Sequence, residues 1–497
     1  MGKCNEPSLK SVNLKNYVNP RIVAVLILLM RMGAFGANAQ ISRSPTPDAK
    51  TRHPAYPLKI SANRRYLTDQ NHQPFLIVGD SPQAMPAMLS PAEARLYFDD
   101  RQAHGFNSVW INVLCAGPYF PDCRADGGTF DGILPFRGYI GDAKNTAHYD
   151  LTKPNQAYFG RVDRMLRLAK RDGFLVFLDP IETGQWLQTL RNNGPAAARV
   201  YGQFLGNRYK RFPNIVWFNG NDYGSWKDPK NDAVVLAVAA GIKSTDPEAL
   251  QTIEFMPDTG SSLDDPAWRR IVSINGAYVY GPTYIQVLHN YEQKPTLPVF
   301  LMEAHYDLEN VGTPSDYGTP SVLRREEYWA MLSGAKGQLY GNHYTWSFAK
   351  GWQTHLDTAG VAQLQYWKKF FESMPWQHLI PDPAHRVVTA GLGHYGNLRA
   401  THVSESDYCT ASRTAGGTYV VAYMPTARTI TVNMASLNAP ATARWFDPTL
   451  GIYRTIPGSP FANAGTRQFT PPGKNGTGDT DWVLLLHATH RSPGSKR

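Results

Sequence analysis

The stretches Asn214-Ile-Val-Trp-Phe-Asn-Gly-Asn-Asp222 and Pro298-Val-Phe-Leu-Met-Glu303 decide the fold. Each is an apolar run of strand length that stops at an acidic residue. Near-continuous apolar runs are typical of parallel strands, because both faces of such a sheet are buried. Further strand candidates alternate with helical patterns from about residue 66 to residue 341. The sequence therefore predicts a (β/α)8 TIM barrel, an α/β fold whose functional face lies at the carboxyl ends of the strands.

The predicted barrel has eight strands with helices between them. Ser90-Pro-Ala-Glu93 has the form of a capping box and predicts a helix that continues to about Ala103. An open flavodoxin-type sheet is the alternative, but it requires a glycine-rich phosphate loop after the first strand, and Gly79-Asp-Ser-Pro82 is not one. The predicted strands are Phe75–Asp80, Gly105–Leu114, Gly173–Asp179, Ile215–Phe218, Gln251–Phe255, Ile271–Ile274, Pro298–Met302 and Gly337–Gly341.

The pattern changes near residue 380, where short strands separated by turn residues replace the alternation of strands and helices. Such a pattern predicts a small all-β sandwich. We therefore expect a signal peptide at 1–39, a linker at 40–60, the barrel at 61–380 and the sandwich at 381–497. The short linker near Ile380–Pro383 favours a sandwich that braces the barrel, and carbohydrate binding by the sandwich stays open.

The amino terminus has the pattern of a secretory signal. Lys10, Lys15 and Arg21 precede the apolar run Ile22–Met30, and Ala37-Asn-Ala39 offers a cleavage site. The protein is thus expected to be secreted or periplasmic, without stable membrane insertion after cleavage, and an uncleaved anchor is the alternative. The formal net charge is +10. The body of the chain has no Lys/Arg run, so a nucleic-acid partner is not expected. The oligomeric state stays open.

The chain has four cysteines. Cys115 and Cys123 lie in a loop-like stretch and are expected to pair in an oxidising compartment, which leaves Cys409 as a lone thiol. The sequence has no CxxC or HExxH motif, and His305 and His343 lack an evident carboxylate partner. No metal and no cofactor are therefore predicted. A serine nucleophile is not indicated, because no Gly-x-Ser-x-Gly elbow lies between a strand and a helix.

Acids at the ends of strands four and seven suggest glycoside hydrolysis, which uses two carboxyl groups. These strand ends lie across the barrel mouth, where a separation of about 5–5.5 Å gives the retaining geometry. We assign Asp222 as the acid/base and Glu303 as the nucleophile. Other side chains near strand ends are candidates for substrate binding: Asp80, Asn112, Asp179, Glu182, Asn221, Tyr223, Glu254, Tyr306, His343 and Trp346.

Several motifs match a known family over roughly residues 58–490. They are Arg65-Tyr-Leu67, Gln73-Pro-Phe75, Val78-Gly-Asp80, Arg101-Gln-Ala-His-Gly-Phe-Asn107, Tyr328-Trp-Ala-Met-Leu-Ser-Gly-Ala-Lys-Gly337, Tyr340-Gly-Asn-His343 with Trp346, and Phe446-Asp-Pro-Thr-Leu-Gly451. The chain resembles the apiosidase-like glycoside hydrolases, barrel proteins that often end in a small β domain named for collagen binding by a collagenase.

The resemblance implies release of apiose or a related furanose from pectic side chains. The family's acids on strands four and seven, an Asp and a Glu, map onto Asp222 and Glu303. The chain departs from the family pattern at Ser81-Pro-Gln83, where the family has Thr and an aromatic residue, and at Asn221, where it has Gly. Pro removes a backbone donor and Asn adds a side chain, so both changes predict a differently shaped mouth.

The sequence is consistent with two functions. The first is a secreted retaining glycoside hydrolase that acts on a polysaccharide or oligosaccharide. The second is a non-catalytic polysaccharide- or matrix-binding protein on a degenerate barrel, because a fold alone does not establish an activity. A collagenase is not indicated, since the sequence has neither a metal motif nor a catalytic triad.

Overall fold

The computed structural model describes residues 53–257, 260–310 and 317–489. The predicted signal peptide, Cys4 and residues 40–52 of the predicted linker lie outside the described residues. Within the described part of the chain, no helix has both the length and the apolar character to cross a bilayer.

Eight parallel strands form the predicted barrel, which excludes the open-sheet alternative. If the barrel strands are numbered one to eight, their order in the sheet is 5-4-3-2-1-8-7-6, which is sequential around a ring, and the end strands lie side by side. A small antiparallel sheet of β1 (Lys59–Ile60), β2 (Leu67–Thr68) and β3 (Pro74–Phe75) precedes the barrel. The barrel strands are β4 (Ile77–Asp80), β5 (Ser108–Asn112), β6 (Leu175–Asp179), β7 (Ile215–Tyr223), β8 (Gln251–Phe255), β9 (Asn275–Tyr278), β10 (Val299–Glu303) and β11 (Gly337–Tyr340).

Helices connect the strands, as a parallel sheet requires. The capping box is confirmed, since Ser90 Oγ accepts from the Glu93 amide and Glu93 Oε2 accepts from the Ser90 amide. One helix is broken at Gly194, whose φ is 74°, directly before Pro195. The helices are α1 (Met85–Met88), α2 (Pro91–Ala103), α3 (Gln156–Arg171), α4 (Thr183–Tyr209), α5 (Pro229–Thr245), α6 (Thr283–Glu292), α7 (Pro320–Leu332) and α8 (Ala359–Glu372).

Aromatic rings fill the lower part of the barrel interior. Trp110 packs on Phe218 with ring centroids 4.2 Å apart, and Phe177 stacks on Phe300 at 5.1 Å. These four residues come from strands two, three, four and seven, and all are buried. This part of the barrel interior is therefore a packed core and not a pore.

The carboxy-terminal region is the predicted all-β sandwich. Its larger sheet has the order β12-β14-β15-β20-β17-β18, and its smaller sheet has the order β13-β16-β19. The first strand of the larger sheet continues directly from the barrel. The strands are β12 (Leu379–Pro381), β13 (Val388–Ala390), β14 (Thr410–Thr414), β15 (Tyr419–Met424), β16 (Ile430–Asn433), β17 (Ala441–Asp447), β18 (Ile452–Thr455), β19 (Thr466–Phe469) and β20 (Trp482–Ala488).

One hydrophobic cluster extends from the barrel helices onto the larger sheet of the sandwich, and a second cluster lies within the sandwich. Tyr328 on α7 stacks on Tyr423 of β15 at 5.0 Å, and Phe370 on α8 packs on Phe446 of β17 at 4.7 Å. Beside these rings, the buried guanidinium of Arg324 donates to Asp481 at 2.9 Å. This continuous packing supports a sandwich that braces the barrel.

Candidate active site

The alternation of side chains along a strand decides which residues reach the barrel mouth. On β4, Ile77 packs inside the barrel and Val78 packs outside against the helices. Asp80 is on the outer face with Val78. There it accepts from Tyr97 of α2 and lies 3.5 Å from the Arg101 guanidinium. The structure thus places Asp80 outside the mouth, in a buried ion pair.

A bulge on β7 shapes the position of Asp222. Between Asn219 and Tyr223 the strand advances four residues while β8 advances two. Gly220, Asn221 and Asp222 all have positive φ, at 101°, 65° and 53°. Bulges re-aim side chains, and non-glycine residues with positive φ are strained and concentrate at functional sites. Asn221 and Asp222 line a pocket of about 220 Å³ at the mouth.

Glu303 also depends on an irregularity in its strand. On β10, Val299 and Leu301 pack outside the barrel against helices, so strict alternation would place Glu303 on that outer face. The pairing register with β9 shifts between Leu301 and Glu303. This shift turns Glu303 into the same pocket as Asp222. The two acids therefore reach one pocket because their strands depart from regular geometry.

Four tyrosine hydroxyls hold the two carboxyl groups. Asp222 accepts from Tyr119 and, at 2.8 Å, from Tyr278. Glu303 accepts from Tyr280 at 2.8 Å and from Tyr306 at 3.1 Å. Hydroxyl donors fix the orientation of each carboxyl group, so the positions of the carboxyl oxygens are preorganised.

Burial dominates the electrostatics of this mouth. Burial first, and the nearby Asp222 carboxyl second, together raise the pKa of Glu303 to about 8. Burial likewise raises the pKa of Glu182 to about 8 and the pKa values of Glu254 and Asp179 well above their usual range. None of the pocket-lining residues within the described part of the chain is an Arg or Lys. The mouth therefore retains protons that solvent-exposed carboxyls would lose at neutral pH.

Replacing Glu303 by Gln is expected to stabilise the fold at alkaline pH. The folded-state pKa is about 8 against an ordinary value of 4.5, so the folded state binds the proton more tightly. The free energy of unfolding of the wild type therefore falls as the pH rises from about 4.5 to about 8. Gln does not titrate, so thermal unfolding should show a higher Tm for the variant above about pH 8 and little difference below about pH 4.5. A Tm difference that does not depend on pH would contradict this.

A disulfide between Cys115 and Cys123 closes the loop after β5, with the two Cα atoms 6.1 Å apart. Tyr119 lies inside this closed loop. Its ring packs on Phe120, which in turn packs on Trp346 at the pocket wall. The loop after strand two thereby places the Tyr119 hydroxyl against Asp222, the acid of strand four.

Replacing Tyr119 by Phe is expected to lower kcat/KM about tenfold or more, because a hydrogen bond to a charged group contributes about 1.5–3 kcal/mol. Steady-state kinetics on a cleaved glycoside would measure this. The paired change Cys115→Ser/Cys123→Ser should give a loss of the same order, since it frees the loop that carries Tyr119. Tyr139→Phe is the matched control, because Tyr139 stacks on Tyr149 outside the pocket. Equal activity of the Tyr119 and Tyr139 variants would remove Tyr119 from the site.

Some of the predicted site residues meet in the pocket or directly beneath it. Asp222, Glu303, Asn221, Tyr306 and Trp346 line the pocket. Glu254 Oε2 lies below, where it accepts from the Asp222 amide at 3.2 Å and from Asn221 Nδ2 at 3.4 Å. Asn112 donates to Asn221 Oδ1 at 3.3 Å. Glu254 and Asn112 therefore support the bulge and do not line the pocket.

The other predicted residues lie elsewhere. Asp179 is fully buried and accepts from the Ile181 amide at 2.9 Å. Glu182 caps the amino terminus of α4, where it accepts from the Gln185 amide. Tyr223 is on the outer face of β7 and stacks on Phe255. The side chain of His343 is 48% exposed and lies 4.0 Å from Glu309.

Sequence reasoning missed five residues that line or organise the site. Gln83 donates to the Tyr306 hydroxyl at 2.9 Å, and Glu309 forms part of the pocket wall. Tyr119 lies in the long loop, where no periodicity marks it. Tyr278 and Tyr280 alternate at the end of β9, a signal that a correct strand boundary would have exposed.

The model of the "Apiosidase-like, catalytic domain" family matches residues 61–378, more than half of the chain, and that of the "Putative collagen-binding domain of a collagenase" matches residues 397–487. No curated protein matches significantly.

Two solved structures share the fold. One is described as "Glycoside hydrolase", with a TM-score of 0.73 and 22% identity, covering 89% of this chain and 100% of that one. The other is described as a glycoside hydrolase family 5 protein from Bacteroides vulgatus, with a TM-score of 0.72 and 21% identity, covering 87% and 93%. At this identity they show the fold alone. The family match, which spans the barrel and both acids, shows that the chain belongs to the apiosidase-like family of glycoside hydrolases.

Proposed function

We propose that this protein is a retaining glycosidase that cleaves furanosidic linkages, apiose-like or arabinofuranose-like, in plant pectic or related polysaccharides. Asp222 acts as the acid/base and Glu303 as the nucleophile. The observation that carries the proposal is that carboxyl groups from strands four and seven share one pocket, and that two tyrosine hydroxyls hold each of them. Two carboxyls across a glycosidic bond are the usual equipment for this hydrolysis.

The difference in exposure supports this division of roles. Glu303 lines the pocket and is only 6% exposed, as suits a nucleophile that attacks the anomeric carbon of a sugar held in the pocket. Asp222 is more exposed. We therefore assign the acid/base role, which must reach a leaving group that extends towards solvent, to the more exposed carboxyl.

The size of the pocket supports recognition of one sugar ring at the reacting position. Its volume of about 220 Å³ is below the range of about 300–1,000 Å³ that is typical of pockets for drug-sized ligands. The furanose class is taken from the family. Asn221 contributes a side chain to this pocket, and the hydroxyl of Tyr306 is held by Gln83 in the segment that follows Pro82. We therefore expect the preferred sugar to be decided by these departures from the family pattern.

A non-catalytic binding function accounts less well for the buried carboxyl groups and the strained backbone of the barrel mouth. Sugar hydroxyls can be bound by neutral amides, whereas burying the Glu303 carboxyl beside a second carboxyl raises its pKa at a cost in free energy. The backbone strain at Asn221 and Asp222 adds to that cost. Reacting carboxyls account for both features.

The proposal is tested by incubating the protein with aryl furanosides, aryl pyranosides and pectic polysaccharides. We expect sugar release from a furanoside, with the anomeric proton of the first product in the same configuration as in the substrate by NMR. Release with the opposite configuration would overturn the retaining mechanism. Release from pyranosides alone would overturn the furanose assignment. If no substrate of the panel released a sugar, the non-catalytic binding function would be favoured.

We further propose that the chain is exported, to the periplasm or the exterior. The disulfide between Cys115 and Cys123 supports this, because disulfides persist in oxidising compartments. Amino-terminal sequencing of the exported protein should begin at Gln40. Recovery of the active protein from the cytosol with its leader intact would refute this proposal.

A further inference from the structure

A chain of hydroxyl groups joins the two acids of the pocket. Tyr278 donates to Asp222 Oδ1 at 2.8 Å, the hydroxyls of Tyr278 and Tyr280 are 3.1 Å apart, and Tyr280 donates to Glu303 Oε1 at 2.8 Å. Tyr278 ends β9 and Tyr280 lies two residues on, so both side chains are on the same face of the chain. A continuous path of hydrogen bonds therefore connects Glu303 to Asp222 without solvent.

The number of protons on this path decides how many of its contacts can be hydrogen bonds. The path contains three oxygen–oxygen contacts, but two tyrosine hydroxyls supply only two protons. If both carboxyls are ionised, each tyrosine donates to its own carboxylate and the contact between the hydroxyls has no proton. If one carboxyl carries a proton, all three contacts are hydrogen bonds that point in one direction. The singly protonated pair is thus the state in which every contact is satisfied.

The surroundings also favour one retained proton. The groups that face the pair from other elements are neutral or acidic: Glu254 on β8, Glu182 at the start of α4, Tyr119 in the loop after β5, and Tyr306 and Glu309 after β10. His305 packs against the Tyr280 ring and is bonded to Glu326 on α7, 2.6 Å away. Two negative charges in this buried space repel each other, and no Arg or Lys among the described lining residues compensates them.

We propose that Tyr278 and Tyr280 form a proton relay that passes a single proton between Glu303 and Asp222. The inference rests on the proposed function, in which Asp222 must be protonated and Glu303 ionised before the sugar is attacked. Glu303 gives its proton to the Tyr280 oxygen, Tyr280 gives its own to Tyr278, and Tyr278 gives its own to Asp222. Only O–H bonds change, and the pair starts and ends with one proton. The two tyrosines are positioning residues, since they act through the carboxyl groups.

The test compares two variants that each remove one hydroxyl donor from Asp222. Tyr278→Phe interrupts the chain, whereas Tyr119→Phe leaves it intact. Infrared spectroscopy follows the carbonyl band of the protonated carboxyl during a pH titration, and Glu303→Gln and Asp222→Asn assign the band. The pair titrates in two steps that belong to both groups together.

We expect the upper step to fall by about one pH unit in Tyr278→Phe and to stay in place in Tyr119→Phe. In Tyr278→Phe the singly protonated state loses two hydrogen bonds and the fully ionised state loses one, a difference of one bond. In Tyr119→Phe both states lose the same bond. An upper step that moves equally in both variants, or in neither, would overturn the relay.

A kinetic measurement gives a second, independent test. The double variant Tyr278→Phe/Tyr280→Phe should lose less kcat/KM than the product of its single effects, because both changes break one chain. The double variant Tyr119→Phe/Tyr306→Phe, which removes one donor from each carboxyl outside the chain, should lose the product of its single effects. Multiplicative losses in both pairs would also overturn the relay. If the infrared result is as expected and no glycoside is cleaved, the proposed function fails and the hydrogen-bond chain stands.

Discussion

Glu303→Gln is expected to lose kcat/KM by about 10³-fold or more on every cleaved glycoside, because removal of a nucleophile abolishes the covalent step. Asp222→Asn is expected to lower kcat/KM by about 10²–10⁴-fold on a glycan whose leaving sugar must be protonated. Its loss should be far smaller for the first step of an aryl glycoside with an acidic phenol, which leaves without protonation. Steady-state and burst kinetics on both substrate types measure the difference.

Glu309→Gln is the matched control for these variants. Glu309 lines the same pocket, and its Oε1 lies 4.0 Å from Nδ1 of His343, so it contacts a residue outside the two acids' tyrosine network. A much smaller loss is expected from this change. If Asp222→Asn lowered the rate by the same factor for the glycan and for the aryl glycoside, the acid/base role would belong to another residue. A folded Glu303→Gln variant with wild-type activity would exclude Glu303 as the nucleophile.

Arg324→Met is expected to lower the free energy of unfolding by about 3–5 kcal/mol, the cost of leaving a buried partner charge unpaired. Arg324 is 2% exposed and Asp481 is 3% exposed, and they join α7 of the barrel to the residue directly before β20 of the sandwich. Asp479 adds a second contact at 2.7 Å. Guanidinium chloride unfolding, followed by tryptophan fluorescence, measures the change.

The adjacent Arg325 gives a matched control. Arg325 donates to the carbonyls of Val403 and Ser406 and is only partly buried, so water can replace those contacts in Arg325→Met. A smaller loss is therefore expected from that variant. Equal losses from the two variants would show that the ion pair with Asp481 does not contribute more than general contact between the barrel and the sandwich.

The sequence predicts the barrel well because its signals are local. Apolar runs at Leu175–Asp179 and Gln251–Phe255 become strands with the expected ends, since a strand buried on both faces must be apolar throughout. The capping box at Ser90 fixes the start of α2 for the same reason, because the backbone and the side chains that satisfy it are three residues apart.

Strand six shows where such signals fail. The apolar run Ile271–Ile274 was predicted as the strand, but the strand is Asn275–Tyr278. Its residues Asn275, Gly276 and Ala277 are small or polar because Asn275 bonds to Asn290 and Met302 packs on Gly276. Tertiary packing therefore overrides the local pattern, and the error of four residues conceals the tyrosines that follow.

Two further features of the site depend on non-local geometry. The prediction ended strand four at Phe218, whereas β7 continues through the bulge to Tyr223 because Glu254 on the neighbouring strand accepts from the Asp222 amide. The prediction also placed Asp80 with the mouth residues, although strict alternation from Ile77 assigns it to the outer face. The first of these required knowledge of the neighbouring strand, and the second could have been read from the sequence.

The disulfide of the loop after β5 has a practical consequence for anyone who produces this protein. Material made in a reducing bacterial cytosol would carry two thiols where the folded protein carries a bond, and the hydroxyl of Tyr119 would no longer be tied to its place. Such a preparation can be soluble, folded and compact in every routine assay and still be a poor catalyst. Expression in an oxidising compartment, or refolding with a glutathione couple, is therefore a condition for measuring the full turnover of this chain.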